Sequence, residues 1–420
     1  MGEAAFIYFI YRKLGMIMKQ NGNGIEGTDK EQRYDSAHHR AESLSTRVWH
    51  IPTSFSREDL TLEGEVAADL KAAGQALREA GQVLAQGGTV AFPTETVYGL
   101  GADAGNTEAV ERVFAAKGRP SDNPLIVHIS ELSQLEGLVE HVNETERALM
   151  ASFWPGPLSL VLPVKPDAVS PRVTAGLDTV AVRMPDHQVA LALISAAGCP
   201  LAAPSANRSG RPSPTLASHV LEDLAGAIDG VLDGGPAGVG VESTVVQVGE
   251  DGAVTVLRPG GVTAEQLAAV AASVRLDPAL LRAAGEAESP APRSPGMKYT
   301  HYAPKGAMCV VQGPRADAVS ARIAAELEAA ARRGEVTGVL SFDEHIGHYR
   351  ADVAVSLGSL AAPEEAARRL YAGLRRFDEE GATFILAEAC PEQGLGAAVM
   401  NRLLKAAGHH RIHVSEGESN

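Results

Sequence analysis

Apolar residues recur at helical spacing from residue 67 to residue 85, through Leu70, Ala73, Leu77 and Leu84, and the run stops at Gly87 and Gly88. That periodicity predicts an amphipathic helix ended by glycine. Residues 89–92 then read as a short buried strand, and residues 93–101 as a loop whose glycines and small hydroxyl residues let a ligand approach the backbone. A helix over 107–116 and an apolar strand over 125–129 follow. Further strands are predicted at 158–164, 179–183, 200–203, 231–232, 244–248 and 253–257, with helices between them, so the first unit reads as α/β. Near residue 270 comes an Ala-rich helix, and residues 288–296 have the Pro- and Gly-rich composition of a linker. Beyond it, strands at 307–311, 336–342, 353–356 and 383–387 alternate with helices at 316–333, 363–377 and 395–407, giving a smaller second α/β unit with no internal repeat.

Composition narrows the class. The chain has 420 residues, 45% of them hydrophobic, enough for two packed domains. Lys and Arg number 37 against 52 Asp and Glu, and the net charge of −15 opposes broad contact with nucleic acid or anionic membrane, so any RNA contact must be local. Cys199, Cys309 and Cys390 form no CxxC pair, which fits buried thiols in a reducing cytoplasm and neither a disulfide frame nor a zinc site. The apolar run at 6–11 is too short to span a bilayer, has its basic residues Arg12 and Lys13 on the wrong side for a secretory signal, and places Phe6 where myristoylation wants Ser or Thr. Residues 20–47 are polar and aperiodic, so the stretch 1–60 reads as a disordered extension or as sequence upstream of the true start, with Met16 and Met18 as alternative starts.

Two distant polar patches carry the chemistry: Lys117-Gly118-Arg119 and Ser205-Ala206-Asn207. A fold that joins them sets two cations beside hydroxyl and amide donors, as phosphate chemistry requires. Each patch also has a plain reading, the first as a basic helix C-cap and the second as an ordinary loop or cap. Asn123 follows the first patch at a strand mouth, and His128 within that strand is either a core histidine or part of a polar ring. Arg183 ends a strand and suits a carboxylate or phosphate, or a surface salt bridge. Glu242-Ser243-Thr244 and Leu257-Arg258-Pro259-Gly260 sit at strand ends in the same way. There is no Walker A pattern, Gly99-Leu100-Gly101 makes no dinucleotide fingerprint, and His409, His410 and His413 lie on a polar tail without carboxylate partners for a metal.

Taken together, PTETVYGLG at 93–101, KGRPSDNPL at 117–125, TVAVRMP at 179–185, APSANRSG at 203–210, ESTVV at 242–246 and LRPG at 257–260 resemble the YrdC-type L-threonylcarbamoyladenylate synthases. SPGMKYTHYAP at 294–304 and GLGAAVMNRLLKAA at 394–407 resemble the long form of that family. The resemblance implies an N-terminal YrdC-like twisted mixed sheet with a large cleft over 67–270, a linker and lid over 271–304, and a small Rossmann-like domain over 305–420. It implies a cytoplasmic nucleotidyltransferase that joins L-threonine, bicarbonate or CO2, and ATP, releasing pyrophosphate. The product serves threonylcarbamoylation of tRNA next to the anticodon by a downstream transferase machinery, with no membrane and no stable nucleic-acid binding required. Mg2+ is expected with the ATP, held mainly by phosphates. By the same resemblance, Lys117 and Arg119 are the catalytic cations, and Thr96, His128, Arg183 and Ser243 contact threonine. Lys117, Arg119, Asn123, Thr179, Ser205, Asn207, Ser213 and Arg258 contact ATP, and Tyr299 and Tyr302 close over the cleft. The competing expectations are a carbamoyl-adenylate-forming carbamoyltransferase and a non-catalytic RNA-binding module.

Overall fold

Residues 44–61, 68–280 and 301–415 are described by the computed structural model. The first unit is built on an eleven-stranded mixed sheet. Its strands are β1 (Arg47–His50), β2 (Val90–Phe92), β3 (Gly99–Asp103), β4 (Ile126–His128), β5 (Leu158–Pro163), β6 (Thr179–Arg183), β7 (Leu201–Ala202), β8 (Gly230–Asp233), β9 (Thr244–Val248), β10 (Val254–Arg258) and β11 (Val274–Leu276). They lie in the order β1-β8-β2-β3-β7-β4-β6-β5-β9-β10-β11. The parallel pair β4 and β6 aligns His128 with Arg183, and a bridge between Gly99 and Ser205 joins the start of β3 to the loop after β7. Helices α1 (Ala68–Ala85), α2 (Thr107–Lys117), α3 (Glu144–Phe153), α4 (Gln188–Ala197) and α5 (Ala217–Leu224) cover the sheet. The small-residue stripe of α1, with Ala73, Ala76 and Ala80 beside Leu77 and Leu84, lets it pack closely on α4.

Several expectations are corrected here. The stretch 1–60 is not wholly an extension, because β1 pairs in parallel with β8, and Trp49, Ile51 and Phe55 are buried in the core beside α1. Full burial of such side chains is worth about 1.5–3 kcal/mol each. Four residues flanked by polar chain were too few to show a period. Residues 99–103 form a strand, not the end of a loop; pairing with both β2 and β7 outweighs the poor strand propensity of two glycines. The first unit continues past residue 270, since β11 pairs with β10. Of the cysteines only Cys309 is buried, Cys199 and Cys390 being half-buried. His413 belongs to an edge strand, not to a tail.

The second unit is a five-stranded, all-parallel sheet in the order β14-β13-β15-β12-β16. Its strands are β12 (Ala307–Gln312), β13 (Thr337–Ser341), β14 (Val353–Ser356), β15 (Phe384–Glu388) and β16 (Arg411–His413), with helices α6 (Ala316–Arg332), α7 (Pro363–Glu379) and α8 (Leu395–Ala406). The apolar faces of α7 and α8 share one core with Val97 and Val241 of the first unit and Tyr302 of the linker. The two units therefore meet through packed side chains at the wall of the first unit's cleft. No helix among the described residues is long and apolar enough to cross a membrane.

Candidate active site

The cleft opens where the loops after β2, β7 and β8 converge with the ends of β4, β6 and β10. Thr96, Lys117, Arg119, His128, Arg183, Ser205, Asn207, Ser243, Arg258 and Tyr302, ten of the expected site residues, line it together. Residues separated by long stretches of chain thus form one wall.

Lys117 reaches the cleft because of how α2 ends. Asn106 caps its first turn by accepting from Ala109 N, and Gly118 at φ 59° takes the left-handed C-cap conformation that favours glycine. The Lys117 side chain is buried and its Nζ donates to Ser205 O at 2.5 Å and Asn207 O at 2.6 Å. Burial, reinforced by the Arg119 charge, holds its ammonium well below the usual range. Lys117 thereby ties the first polar patch to the second. Arg119 donates to Asn123 O at 3.3 Å and Pro124 O at 3.0 Å. Within the second patch, Ser205 Oγ donates to Asn207 Oδ1 at 2.5 Å, and Asn207 Nδ2 donates to Arg208 O and Arg211 O.

The opposite wall centres on Arg183. Its Nε donates to Gly156 O at 3.2 Å, its Nη1 to Thr96 Oγ1 at 2.9 Å, and its Nη2 lies 2.5 Å from Glu95 Oε2. The Glu95 contact is ionic and lacks hydrogen-bond angles. Burial, with the Arg183 charge adding to it, pushes the His128 imidazole down to about 3, so His128 is neutral at physiological pH. Its Nδ1 lies 3.2 Å from Ile126 O. Ser243 Oγ pairs with Ser159 Oγ at 2.8 Å and accepts from Arg258 Nη2 at 3.1 Å.

Three expected residues do not reach the cavity. Ser213 is buried and its hydroxyl donates to Glu242 Oε1 at 2.6 Å. Asn123 is buried, its backbone carbonyl taken by Arg119, and its Oδ1 has no hydrogen-bond partner among the described residues. Thr179 stands at the amino end of β6, at the far end of the strand from Arg183. Because β4 and β6 are parallel, Thr179 and the loop carrying Asn123 lie at one end of the sheet while His128 and Arg183 lie at the other. Tyr299 lies outside the described residues.

Sequence reading missed four contributors. Glu95 and Glu242 stood inside quoted motifs, but a carboxylate in a site meant for anions gave no signal. Tyr371 and Arg402 belong to the second unit; Arg402 stood inside the quoted stretch 394–407 without a role, and nothing local marks Tyr371. Glu242 Oε2 accepts from Tyr371 Oη at 2.7 Å and from Arg402 Nε at 3.0 Å. Burial opposes its charge, but Arg402 and Arg258 overcome that, and with bonds from Ser213 and Tyr371 they bring the Glu242 carboxyl down to about 2.

His301 and Tyr302, at the end of the linker, also line the cleft. Tyr302 is buried at φ 67°, a left-handed conformation that costs a bulky residue about 1–2 kcal/mol. Its ring lies 5.1 Å from that of Tyr371, with the Arg402 guanidinium 5.9 Å from its centre, and Ala303 N donates to Gly210 O at 2.9 Å. The cavity left beneath is about 70 Å³. That is well below the roughly 300–1,000 Å³ of a small-molecule site.

Comparison with known proteins agrees with this arrangement. Residues 82–260 match the Sua5/yciO/yrdC family model, described as telomere recombination, and residues 262–408 match the model described as the C-terminal domain of threonylcarbamoyl-AMP synthase. A threonylcarbamoyl-AMP synthase of Bacillus subtilis is 51% identical over 344 residues, 82% of this chain and 96% of the relative. That of Pyrococcus abyssi is 48% identical over 338 residues, 80% of this chain and 96% of the relative. Among solved structures, P. abyssi Sua5 complexed with L-threonine matches with a TM-score of 0.77 at 43% identity, covering 88% of this chain and 100% of that one.

Proposed function

The chain belongs to the threonylcarbamoyl-AMP synthase family, enzymes of nucleotidyltransferase type, and from that membership we propose that it joins L-threonine, bicarbonate or CO2, and ATP into threonylcarbamoyl-AMP with release of pyrophosphate. The observation that carries this reading is the presence, in one cleft, of Arg183 on one wall and the Lys117 and Arg119 pair on another. An α-amino acid and a polyphosphate together need such opposed cationic positions. The threonine carboxylate would bind Arg183, close to Thr96, neutral His128 and Ser243. A charge-assisted contact of this kind is worth about 1.5–3 kcal/mol. The nucleotide would lie along the wall that carries Lys117 and Arg119, with Ser205, Asn207 and Arg258 flanking it.

The threonine amine would capture CO2 as a carbamate, and a carbamate oxygen would attack the α-phosphorus as pyrophosphate leaves. Lys117 and Arg119 would neutralise the charge that develops on the phosphates. Such a step depends on positioning and electrostatics more than on a general base. Among the described residues no three His, Cys, Asp or Glu side chains converge as a metal site, while Glu242 and Glu95 are engaged by arginines. That donor set suits a Mg2+ that arrives with ATP, keeps phosphate and water ligands, and screens the phosphate charge. The closed cavity supports a lid made by the linker, which must leave for substrates to enter and return to keep water from the mixed anhydride. The adenylate would then pass to a transferase that modifies the adenosine next to the anticodon of tRNA.

Pyrophosphate release from ATP by the purified chain, omitting threonine and bicarbonate in turn and identifying the adenylate by mass, tests this reading. Dependence on both substrates is expected. Release indifferent to threonine would replace the reading with a carbamoyl-adenylate chemistry, and absence of release would remove it. Deleting residues 294–304 should abolish productive turnover; unchanged turnover would end the lid proposal.

A further inference from the structure

Glu242 stands at the point where the second unit touches the cleft of the first. It lines the cleft yet is only 7% exposed, and its two oxygens serve opposite sides. Oε1 receives Ser213 from the loop after β7, while Oε2 receives Tyr371 of α7 and Arg402 of α8. The following residue, Ser243, is held by Arg258 and Ser159. Arg402 also donates through Nη1 to Pro259 O, directly after Arg258. Arg402 thus grips both segments that carry Ser243 and Arg258.

The segment before Glu242 is wedged between the same partners. Val239 N donates to Glu95 O at 2.6 Å and Gly240 N to Thr96 O at 3.1 Å. On its other side, a Cβ at Gly240 would lie 2.4 Å from Ala367 O of α7, and its φ of 82° suits glycine alone. The loop holding Thr96 is therefore pressed against the second unit through one strand of chain. Arg402 is wholly buried, and its Nη2 has no hydrogen-bond partner among the described residues. Retaining a buried, incompletely bonded guanidinium is costly where apolar packing would serve, which points to a role beyond joining the units.

We propose that Arg402 and Tyr371 are positioning residues of the active site, acting through Glu242 to fix Ser243, Ser213 and Arg258, so that the first unit's site is incomplete without the second unit. This inference rests on the synthase reading above. Neither residue touches the reacting atoms. Their effect is to hold an ionised carboxylate whose bonds orient hydroxyls on both substrate walls.

The test uses the full chain and four variants: Tyr371→Phe, Arg402→Lys, Arg402→Met and Arg402→Met combined with Glu242→Gln. Tyr371→Phe keeps the ring against Tyr302 and removes one hydroxyl, so its melting temperature should stay near that of the parent while kcat/KM falls roughly ten- to a hundred-fold, the scale of one charge-assisted hydrogen bond. Arg402→Lys should recover part of what Arg402→Met loses. A second readout is the ratio of variant to parent kcat/KM against pH, which cancels the titration of bicarbonate and threonine. Glu242 is faced by Ser213 and Arg258 of the first unit, His301 and Tyr302 of the linker, Tyr371, Arg402 and Lys405 of the second, with Lys117 near. With the Arg402 charge gone, Glu242 should take up a proton within an accessible acid range, and the ratio for Arg402→Met should fall between about pH 6 and pH 4. The drop should vanish in the double variant. If Arg402→Met does not fold, Tyr371→Phe and Arg402→Lys decide the matter. Variants that melt earlier but keep kcat/KM and a flat ratio overturn the inference and leave the synthase reading intact. A parent chain that makes no adenylate and binds neither ATP nor L-threonine by calorimetry overturns both.

Discussion

Glu95 forms a close ion pair with Arg183 of the cleft wall, 2.5 Å apart with side chains only 11% and 4% exposed. The carboxylate sits on the guanidinium proposed to receive the carboxylate of threonine. Among the described residues neither Glu95 oxygen makes a hydrogen bond, so the ion pair with Arg183 is what a substrate carboxylate would have to displace. Glu95→Gln should therefore tighten L-threonine binding several-fold while lowering the stability of the free protein, since Arg183 loses its resident partner. Arg183→Lys should do the reverse to affinity, cutting kcat/KM for threonine by roughly 10- to 100-fold as the planar fork is lost. Calorimetric titration with L-threonine checks both; weaker binding in Glu95→Gln would show that Glu95 serves the substrate directly.

Lys117 carries a second prediction. A neutral amine has two N–H groups, and Lys117 already donates to two carbonyls, Ser205 O and Asn207 O. Burial and the Arg119 charge favour that neutral form. Arriving phosphates favour the charged one, which has a third donor to offer. ATP binding should accordingly take up protons wherever the free amine is neutral, seen as binding enthalpies that change with the ionisation enthalpy of the buffer. Lys117→Met should lose that uptake along with the affinity.

The buried His128 makes stability depend on pH with a definite sign. Its folded value of about 3 lies below the ordinary 6.5, so the unfolded chain binds the proton first. Stability is then lost as pH falls from 6.5 toward 3, by up to about 1.4 kcal/mol per unit and about 2 kcal/mol at pH 5. Urea unfolding of the parent and His128→Gln from pH 7 to pH 4 measures the difference, which cancels the other histidines. A difference constant with pH would mean that His128 is charged in the folded protein.

The site was legible in sequence to the extent that each wall is a contiguous motif at the end of a strand or, for Lys117, of a helix. Lys117, Arg183 and Ser205 follow or close apolar runs, and an α/β sheet brings such ends to one crevice. Strands with a clear apolar run, such as Thr179–Arg183 and Thr244–Val248, were readable to the residue. Arg47–His50 and Gly99–Asp103 were not, because pairing partners far along the chain decide their state. The same holds for Arg402. Nothing within α8 distinguishes it from any arginine on an amphipathic helix; only the docking of α8 on the cleft makes it a partner of Glu242.

Tyr302 supplies the last prediction, on the closing of the cleft. Its ring is held against Tyr371 and beneath Arg402, contacts worth about 0.5–1.5 and 0.5–2 kcal/mol respectively. The ring contacts do not need the hydroxyl, which adds a hydrogen bond with Tyr371. Tyr302→Phe should thus close normally, while Tyr302→Ala should leave the linker open for a larger fraction of the time. An open cleft admits water to the mixed anhydride, whose hydrolysis returns threonine and CO2 and leaves AMP. The ratio of free AMP to threonylcarbamoyl-AMP should rise in Tyr302→Ala and stay at the parent value in Tyr302→Phe. A fall in ATP consumption with that ratio unchanged would mean instead that the ring helps assemble the site before chemistry and does not guard the product.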